Sequence, residues 1–377
     1  MRKMNTEKKY AIFCTTPFHV LCAISIFDKN PSNVDVYITN QFSDSFRISK
    51  ELKKQKLFHD VIHINAQKEK IEVVAACSGF RRFFTNLHSL LQYIKNCLFI
   101  ESTVKKYLHS ESDYDEILVA SNSMAGRYAI FYYTRKKKQF RVTQFDDGVG
   151  SYLYGGMGSI PLYDRICRRL LFRRSLEPCD KILLFCPDFY SRIQKDSRKV
   201  RKIPSISQRG ERIIYQLYPV VDQIDLGREF IILDTVNEGF TQSGWKRYQN
   251  LKKEIKRVTG AESLLVKKHP RDRGMSENEK LFSSVPFEVV CMRESMEDKV
   301  LITTKTTAVF MPKLMFDQEP VIIFLCGMLE KEMKEIDDHS DIEILCDLYH
   351  EKDRILIPKD ERELIDCLAR YRDKEWK

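Results

Sequence analysis

Near the start of the chain stands the run Tyr10-Ala11-Ile12-Phe13-Cys14-Thr15-Thr16-Pro17-Phe18-His19. Its first five residues are apolar and rich in strand formers, and they read as a buried strand. Thr16 is a good N-cap and Pro17 suits the first helical position, so a helix to about residue 28 follows directly. A buried strand passing straight into a helix is the opening half of a βαβ unit. The stretch also follows a basic start (Arg2, Lys3, Lys8, Lys9), as a signal peptide would. Its polar interior at Thr15-Thr16-Pro17 and His19 argues against that reading, as does its exit into Asp28-Lys29-Asn30 without a small-residue cleavage site.

The same alternation continues along the chain. Further strands are predicted at 34–39, 61–65, 116–120, 141–145 and 181–185, with helical patterns near 17–28, 43–56, 81–108, 125–134 and 160–174. The polar, basic stretch Ser191 to Arg212 interrupts the pattern and reads as a linker. Alternation then restarts with strands at 230–233, 264–266, 300–303 and 320–324, a helix at 242–258 and a last amphipathic helix at about 361–375. The expected fold is α/β, with two Rossmann-like doubly wound domains facing each other across a cleft. They are assigned to residues 1–212 and 226–358, and the helix within 359–377 is expected to pack back on the first. In such sheets ligands bind outside the carboxyl ends of the strands, so a polar cluster just after a strand outranks one just before it.

A chain of 377 residues exceeds one ordinary core, in keeping with two domains. The net charge of +10 is uneven. Residues 1–225 hold 37 Lys and Arg against 23 Asp and Glu, and the rest hold 26 against 30, so affinity for an anionic partner is expected in the first half. Eleven cysteines occur without a CxxC pair, which reads as buried thiols in a reducing compartment, not as a zinc site or a disulfide framework. No other apolar run is long enough to span a bilayer. A cytoplasmic protein is expected.

Three clusters follow predicted strands. In Phe145-Asp146-Asp147-Gly148-Val149-Gly150, two adjacent carboxylates precede glycines that let the chain turn sharply. Mutual repulsion tends to raise one pKa toward general-base work, while an Asp-Gly turn accounts equally well for the pattern. In Lys267-Lys268-His269-Pro270-Arg271 an imidazole ends a strand among cations, an arrangement suited to a phosphate. Thr303-Thr304-Lys305-Thr306-Thr307 surrounds a helix start and offers hydroxyls and backbone N–H groups to an anion, with Pro312 complicating a helix begun there. Thr15-Thr16-Pro17 and Ser121-Asn122-Ser123 are helix starts that present N–H groups at strand ends. No Gly-x-Gly-x-x-Gly or Walker loop occurs, so dinucleotide-dependent and P-loop chemistry are unsupported. Leu162, Ile166 and Leu170 share a helical face amid Arg165, Arg168, Arg169, Arg173 and Arg174. With Arg135-Lys136-Lys137-Lys138 they suit either an anionic membrane or a solvated helix. No nucleic-acid module is present.

The order of an acidic-acidic-Gly triplet, a His-Pro strand end and a downstream Ser/Thr cluster resembles the bacterial GT-B sialyltransferases. It is most similar to the family-52 glycosyltransferases that sialylate lipooligosaccharide and capsule. The resemblance implies an inverting transfer of sialic acid from CMP-Neu5Ac to a galactose-terminated or sialylated surface glycan, with no metal or other cofactor. It makes Asp147 the general base with Asp146 its neighbour, and His269 the residue that binds the CMP phosphate and assists its departure. Pro270, Lys267, Lys268 and either Thr306 and Thr307 or Thr303 and Thr304 fall on the donor side. Thr15, Thr16, Pro17, Ser121, Asn122 and Gly148 fall on the acceptor side. The implied partners are a nucleotide-sugar donor and a glycan acceptor, with peripheral contact at the inner membrane face and a homodimer both compatible, and no nucleic acid. A GT-B transferase using a UDP-hexose or CMP-Kdo, or a non-catalytic glycan- or lipid-binding protein, fits the same motifs.

Overall fold

The computed structural model describes residues 8–65, 91, 94–106, 108, 113–120, 124–136, 140–154, 179–195, 198–235, 240–269, 282–329 and 340–373. The chain divides into two compact units, residues 1–217 and 218–377. Each is built on one parallel sheet.

The sheet of the first unit has seven strands: β1 (Tyr10–Cys14), β2 (Val34–Thr39), β3 (Asp60–Ile64), β4 (Glu116–Val119), β5 (Arg141–Phe145), β6 (Lys181–Leu184) and β7 (Lys199–Lys202). Their order is β3-β2-β1-β4-β5-β6-β7. The order reverses between β1 and β4, the switch point at which doubly wound sheets open toward ligands. β2 and β4 are buried along their whole length, as parallel strands covered on both faces must be. Phe13 stacks on Tyr37 within a core that also holds Tyr114, Tyr128 and Phe131.

The sheet of the second unit has five strands: β8 (Phe230–Leu233), β9 (Leu264–Lys267), β10 (Val300–Thr303), β11 (Val321–Phe324) and β12 (Ile355–Leu356). The order β12-β11-β10-β8-β9 places its switch point between β8 and β10. The helix Gln242–Thr259 covers this sheet with Tyr248, Leu251 and Ile255.

Every predicted strand is present, half of them to the residue and the others within one residue at either end. Three expectations are corrected. The stretch 191–212 is no linker: it holds β7, hydrogen-bonded to β6, and the first turns of the helix Gln208–Leu217. The division falls instead between Leu217 and Tyr218. The last helix, Glu361–Arg372, joins the core of the second unit, with Leu364, Leu368 and Tyr371 packed there beside the helix Gln242–Thr259. Pro312 kinks nothing: a short 3-10 turn, Thr307–Phe310, comes first, and Pro312 sits in the opening turn of the helix Met311–Phe316. Among the described residues no helix is long and apolar enough to cross a membrane. The arginine-rich stretch 162–174 lies outside the described residues, as do Lys137 and Lys138; Arg135 and Lys136 end the helix Met124–Lys136.

Candidate active site

In the first unit the ends of β1, β5 and β6 converge on one polar cluster. Asp146 and Asp147 leave β5 together and meet opposite environments. Asp146 is buried, at 1% exposure. Its Oδ2 accepts the Tyr152 hydroxyl at 2.6 Å and the Phe185 N–H at 3.2 Å, and its Oδ1 accepts the Gly148 N–H at 2.9 Å. Burial pushes this carboxyl up to about 7 against the lowering effect of those three donors, and the Asp147 charge adds the smallest upward push. The expectation that repulsion between the pair would poise a base is therefore corrected: desolvation dominates, and the raised group is the inaccessible one.

Asp147 keeps its side chain about one-fifth exposed. Its backbone N–H donates to the Ser151 Oγ at 2.8 Å, which fixes the turn. Gly148 has φ +82°, a backbone region that glycine enters at little cost. The carboxylate is held by a residue that the sequence reading did not select: His19 Nε2 lies 2.6 Å from Asp147 Oδ1. The ring of His19 is buried and meets Phe145 edge-on at 5.2 Å between centroids. Its Nδ1 accepts the Thr15 N–H at 3.1 Å and lies 3.0 Å from the Thr15 hydroxyl. Thr16 caps the helix Pro17–Phe27 by accepting the His19 N–H.

Thr15 and Thr16, expected on the acceptor side, thus turn their hydroxyls onto His19 and its helix, and Pro17 opens that helix. Ser121 and Asn122 lie outside the described residues. The signal for His19 was the cap itself: Thr16 caps the residue three places on, so that residue sits at the first turn, beside the strand end. Nothing local announces a partner 128 residues away.

The second unit places Thr303 at its switch point. The Thr303 hydroxyl donates to the Leu233 carbonyl, joining the ends of β10 and β8, and accepts the Thr306 N–H at 3.2 Å. Thr303 and Thr304 are buried, while Thr306 and Thr307 are partly exposed around the 3-10 turn. His269 and Lys268 are partly exposed just past β9, and Pro270 lies outside the described residues. Lys267, expected on the donor side, turns its ammonium inward: it donates to the Phe282 carbonyl at 3.0 Å and the Val285 carbonyl at 2.5 Å, and burial lowers its pKa to about 8. At the end of β8, Asp234 is buried and accepts the Tyr248 hydroxyl at 2.5 Å and the Lys252 ammonium at 2.8 Å, tying the sheet to its covering helix.

Comparison with known proteins identifies the frame. Arabidopsis thaliana UGT89C1 complexed with UDP-L-rhamnose is similar over 98% of this chain and 91% of that one, at 9% identity and a TM-score of 0.53. The same plant enzyme complexed with UDP matches over 97% and 90%, at 10% identity and a TM-score of 0.52. At such identities the likeness shows the fold alone, and that fold is GT-B. No curated protein sequence matches. The family described as Alpha-2,8-polysialyltransferase (POLYST) matches residues 11–321. This supports the sialyltransferase reading and replaces family 52, and it gives no support to lipooligosaccharide as the acceptor. With a match running from β1 to β11, the chain belongs to the α-2,8-polysialyltransferase family and is a CMP-sialic acid dependent glycosyltransferase.

Proposed function

We propose that the protein lengthens sialic acid chains, moving the sialyl group of CMP-Neu5Ac onto the 8-hydroxyl of a sialylated surface glycan, with inversion and without a metal ion. The family membership supports the donor and the linkage. The observation that carries the chemistry is the Asp147 carboxylate, kept partly exposed at the end of β5 while its neighbour is buried.

In this reading Asp147 accepts the proton of the attacking hydroxyl. The new C–O bond forms at the anomeric carbon as the bond to the phosphate oxygen breaks, and CMP departs with that electron pair. The leaving group is a phosphate monoester dianion, whose charge hydrogen-bond donors can stabilise. His269, Lys268 and the partly exposed Thr306 and Thr307 supply such donors in the second unit. Asp146 is assigned to holding the loop, because its three accepted hydrogen bonds leave it no access to a substrate hydroxyl.

The test is a donor and acceptor screen read by mass spectrometry. CMP-Neu5Ac, CMP-Kdo and UDP-sugars are offered with lactose, sialyllactose and oligosialic acid, with and without EDTA. The expected result is repeated sialyl addition to the sialylated acceptors from CMP-Neu5Ac alone, unaffected by EDTA. Transfer only to lactose would overturn the acceptor, turnover of a UDP-sugar or of CMP-Kdo the donor, and loss with EDTA restored by magnesium the metal-free mechanism.

A further inference from the structure

We propose that His19 is a positioning residue for the base: it fixes one oxygen of Asp147 and favours the ionised carboxylate, without itself taking the proton. This rests on the reading of Asp147 as the base. The tautomer follows from a single contact. The Thr15 backbone N–H can only donate, and at 3.1 Å it donates to His19 Nδ1. Nδ1 therefore carries no hydrogen, and the neutral ring bears its hydrogen on Nε2. That hydrogen is donated to Asp147 Oδ1 over 2.6 Å.

The arrangement inverts the familiar one in which a carboxylate orients a histidine base. Here the histidine is inside, at 1% exposure, and the carboxylate faces outward. A cationic ring would need a hydrogen on Nδ1, where the Thr15 hydroxyl at 3.0 Å could accept it but the Thr15 N–H would oppose it. Phe145 lies edge-on against the ring and Phe18 stands beside it, so a positive charge there would depend on the Asp147 carboxylate, the group that takes the proton in this reading. The proton taken from the acceptor hydroxyl thus rests on Asp147 and does not pass into the ring. A hydrogen bond given to the charged form of a carboxylate favours that form. Removing it raises the pH at which the base protonates and frees the carboxylate to rotate.

The described titratable groups around Asp147 come from four places in the first unit. His19 stands on the helix after β1, and Asp146 on the same loop. Tyr152 from the short helix Gly150–Leu153 donates to Asp146 from behind, and Cys186, just past β6, acts in turn on Tyr152. All but His19 are common to the variants below, so their effects cancel in the comparison.

The experiment compares His19→Gln with His19→Asn in the full chain, with pH–rate profiles of sialyl transfer, melting curves, and Asp147→Asn as reference. Glutamine carries an N–H group out to the level of Nε2 and keeps a donor for Asp147. Asparagine reaches only the level of Nδ1 and keeps an acceptor for Thr15. The expected result is an acid limb near the wild-type position for His19→Gln. For His19→Asn the limb moves up by about one pH unit, with kcat lower by roughly 10- to 100-fold and KM for CMP-Neu5Ac unchanged. Equal acid limbs in the two variants would overturn the proposal. Should His19→Asn fail to melt cooperatively, nitrogen NMR of the wild-type imidazole decides: a neutral ring protonated on Nε2 from pH 6 to 8 supports it, and a cation or the other tautomer refutes it. If Asp147→Asn keeps its turnover, the base reading itself fails; if that variant is inactive while glutamine and asparagine behave alike, only the role of His19 fails.

Discussion

The loop after β5 and the loop after β10 leave buried strand ends in different units, and in each a polar side chain at or next to the strand end gathers the loop while later ones turn outward. After β5 the holder is Asp146, an ionisable group that collects three donors. After β10 it is Thr303, a neutral hydroxyl that ties the ends of β10 and β8 and accepts the Thr306 N–H. The carboxylate gathers more donors than a hydroxyl can, and it brings a titration with it. The first loop is therefore sensitive to pH through its holder, whereas the Thr303 hydroxyl brings no titration near neutrality. The largest consequence concerns the residue each holder serves. Asp147→Asn is expected to lower kcat by roughly two to four decades while CMP binding, measured by calorimetry, stays within twofold. Weakened CMP binding in that variant would move Asp147 to the donor side and dissolve the contrast.

The holder itself gives the next effect. Asp146 titrates near 7 in the folded chain and in the ordinary carboxylate range when unfolded. Between about pH 4 and 7 the folded state keeps a proton that the unfolded state has lost, so stability falls as pH rises through that window and levels off above it. The slope amounts to a few kcal/mol across the window. Asp146→Asn, neutral and of the same shape, is expected to flatten it, as read by melting temperatures in steps of pH. A slope unchanged by that substitution would mean that another group carries the titration. In the second unit, His269→Ala is expected to weaken CMP binding and turnover together by roughly 10- to 100-fold, the worth of a hydrogen bond to a charged group. A loss confined to kcat would leave His269 with the reaction and without the phosphate.

Much of this frame was legible before any coordinates. The strands of both units announce themselves because parallel strands buried on both faces are continuous apolar runs, as in Phe230–Leu233 and Val321–Phe324. β7 was invisible for the converse reason: Lys199-Val200-Arg201-Lys202 is an edge strand whose cations face water, and its sequence reads as a linker. β12, two residues long, offers no period at all. At the site, motif order singled out Asp147 and His269 by resemblance, and geometry now separates Asp147 from Asp146. Chain proximity grouped Lys267 with His269, but its ammonium turns onto the carbonyls of Phe282 and Val285, a fold contact that no local pattern announces. His19 was overlooked because its importance lies in a contact between the ends of β1 and β5, two strands that sit on either side of β4.

The turn that exposes Asp147 supplies a smaller test. A Cβ at Gly148 would meet nothing within 4 Å, so Gly148→Ala isolates the cost of a side chain at φ +82°. That cost is about 1–2 kcal/mol, read as a lowered melting temperature. At Gly150, where φ is ordinary and a Cβ would touch only the Tyr154 ring at 3.9 Å, alanine is expected to be neutral or to stabilise slightly. Equal losses at the two positions would point to crowding by neighbours and not to backbone strain.

The finest distinction lies among the threonines after β10, where sequence left two pairs open. The Thr303 hydroxyl is engaged on both sides, so Thr303→Val, which keeps the shape, removes one donated and one accepted hydrogen bond inside the protein. The expected loss is about 1 kcal/mol of stability, with CMP affinity changed only as far as the loop loosens. Thr307 is partly exposed in the 3-10 turn, so Thr307→Ala should leave stability within about 0.5 kcal/mol. If its hydroxyl meets the donor phosphate, CMP affinity falls by about tenfold. The two substitutions therefore exchange their signatures according to which pair serves the donor. A Thr303→Val variant that melts like the wild type but no longer retains CMP would give the donor to the buried pair, and the loop after β10 would then have no holder comparable to Asp146.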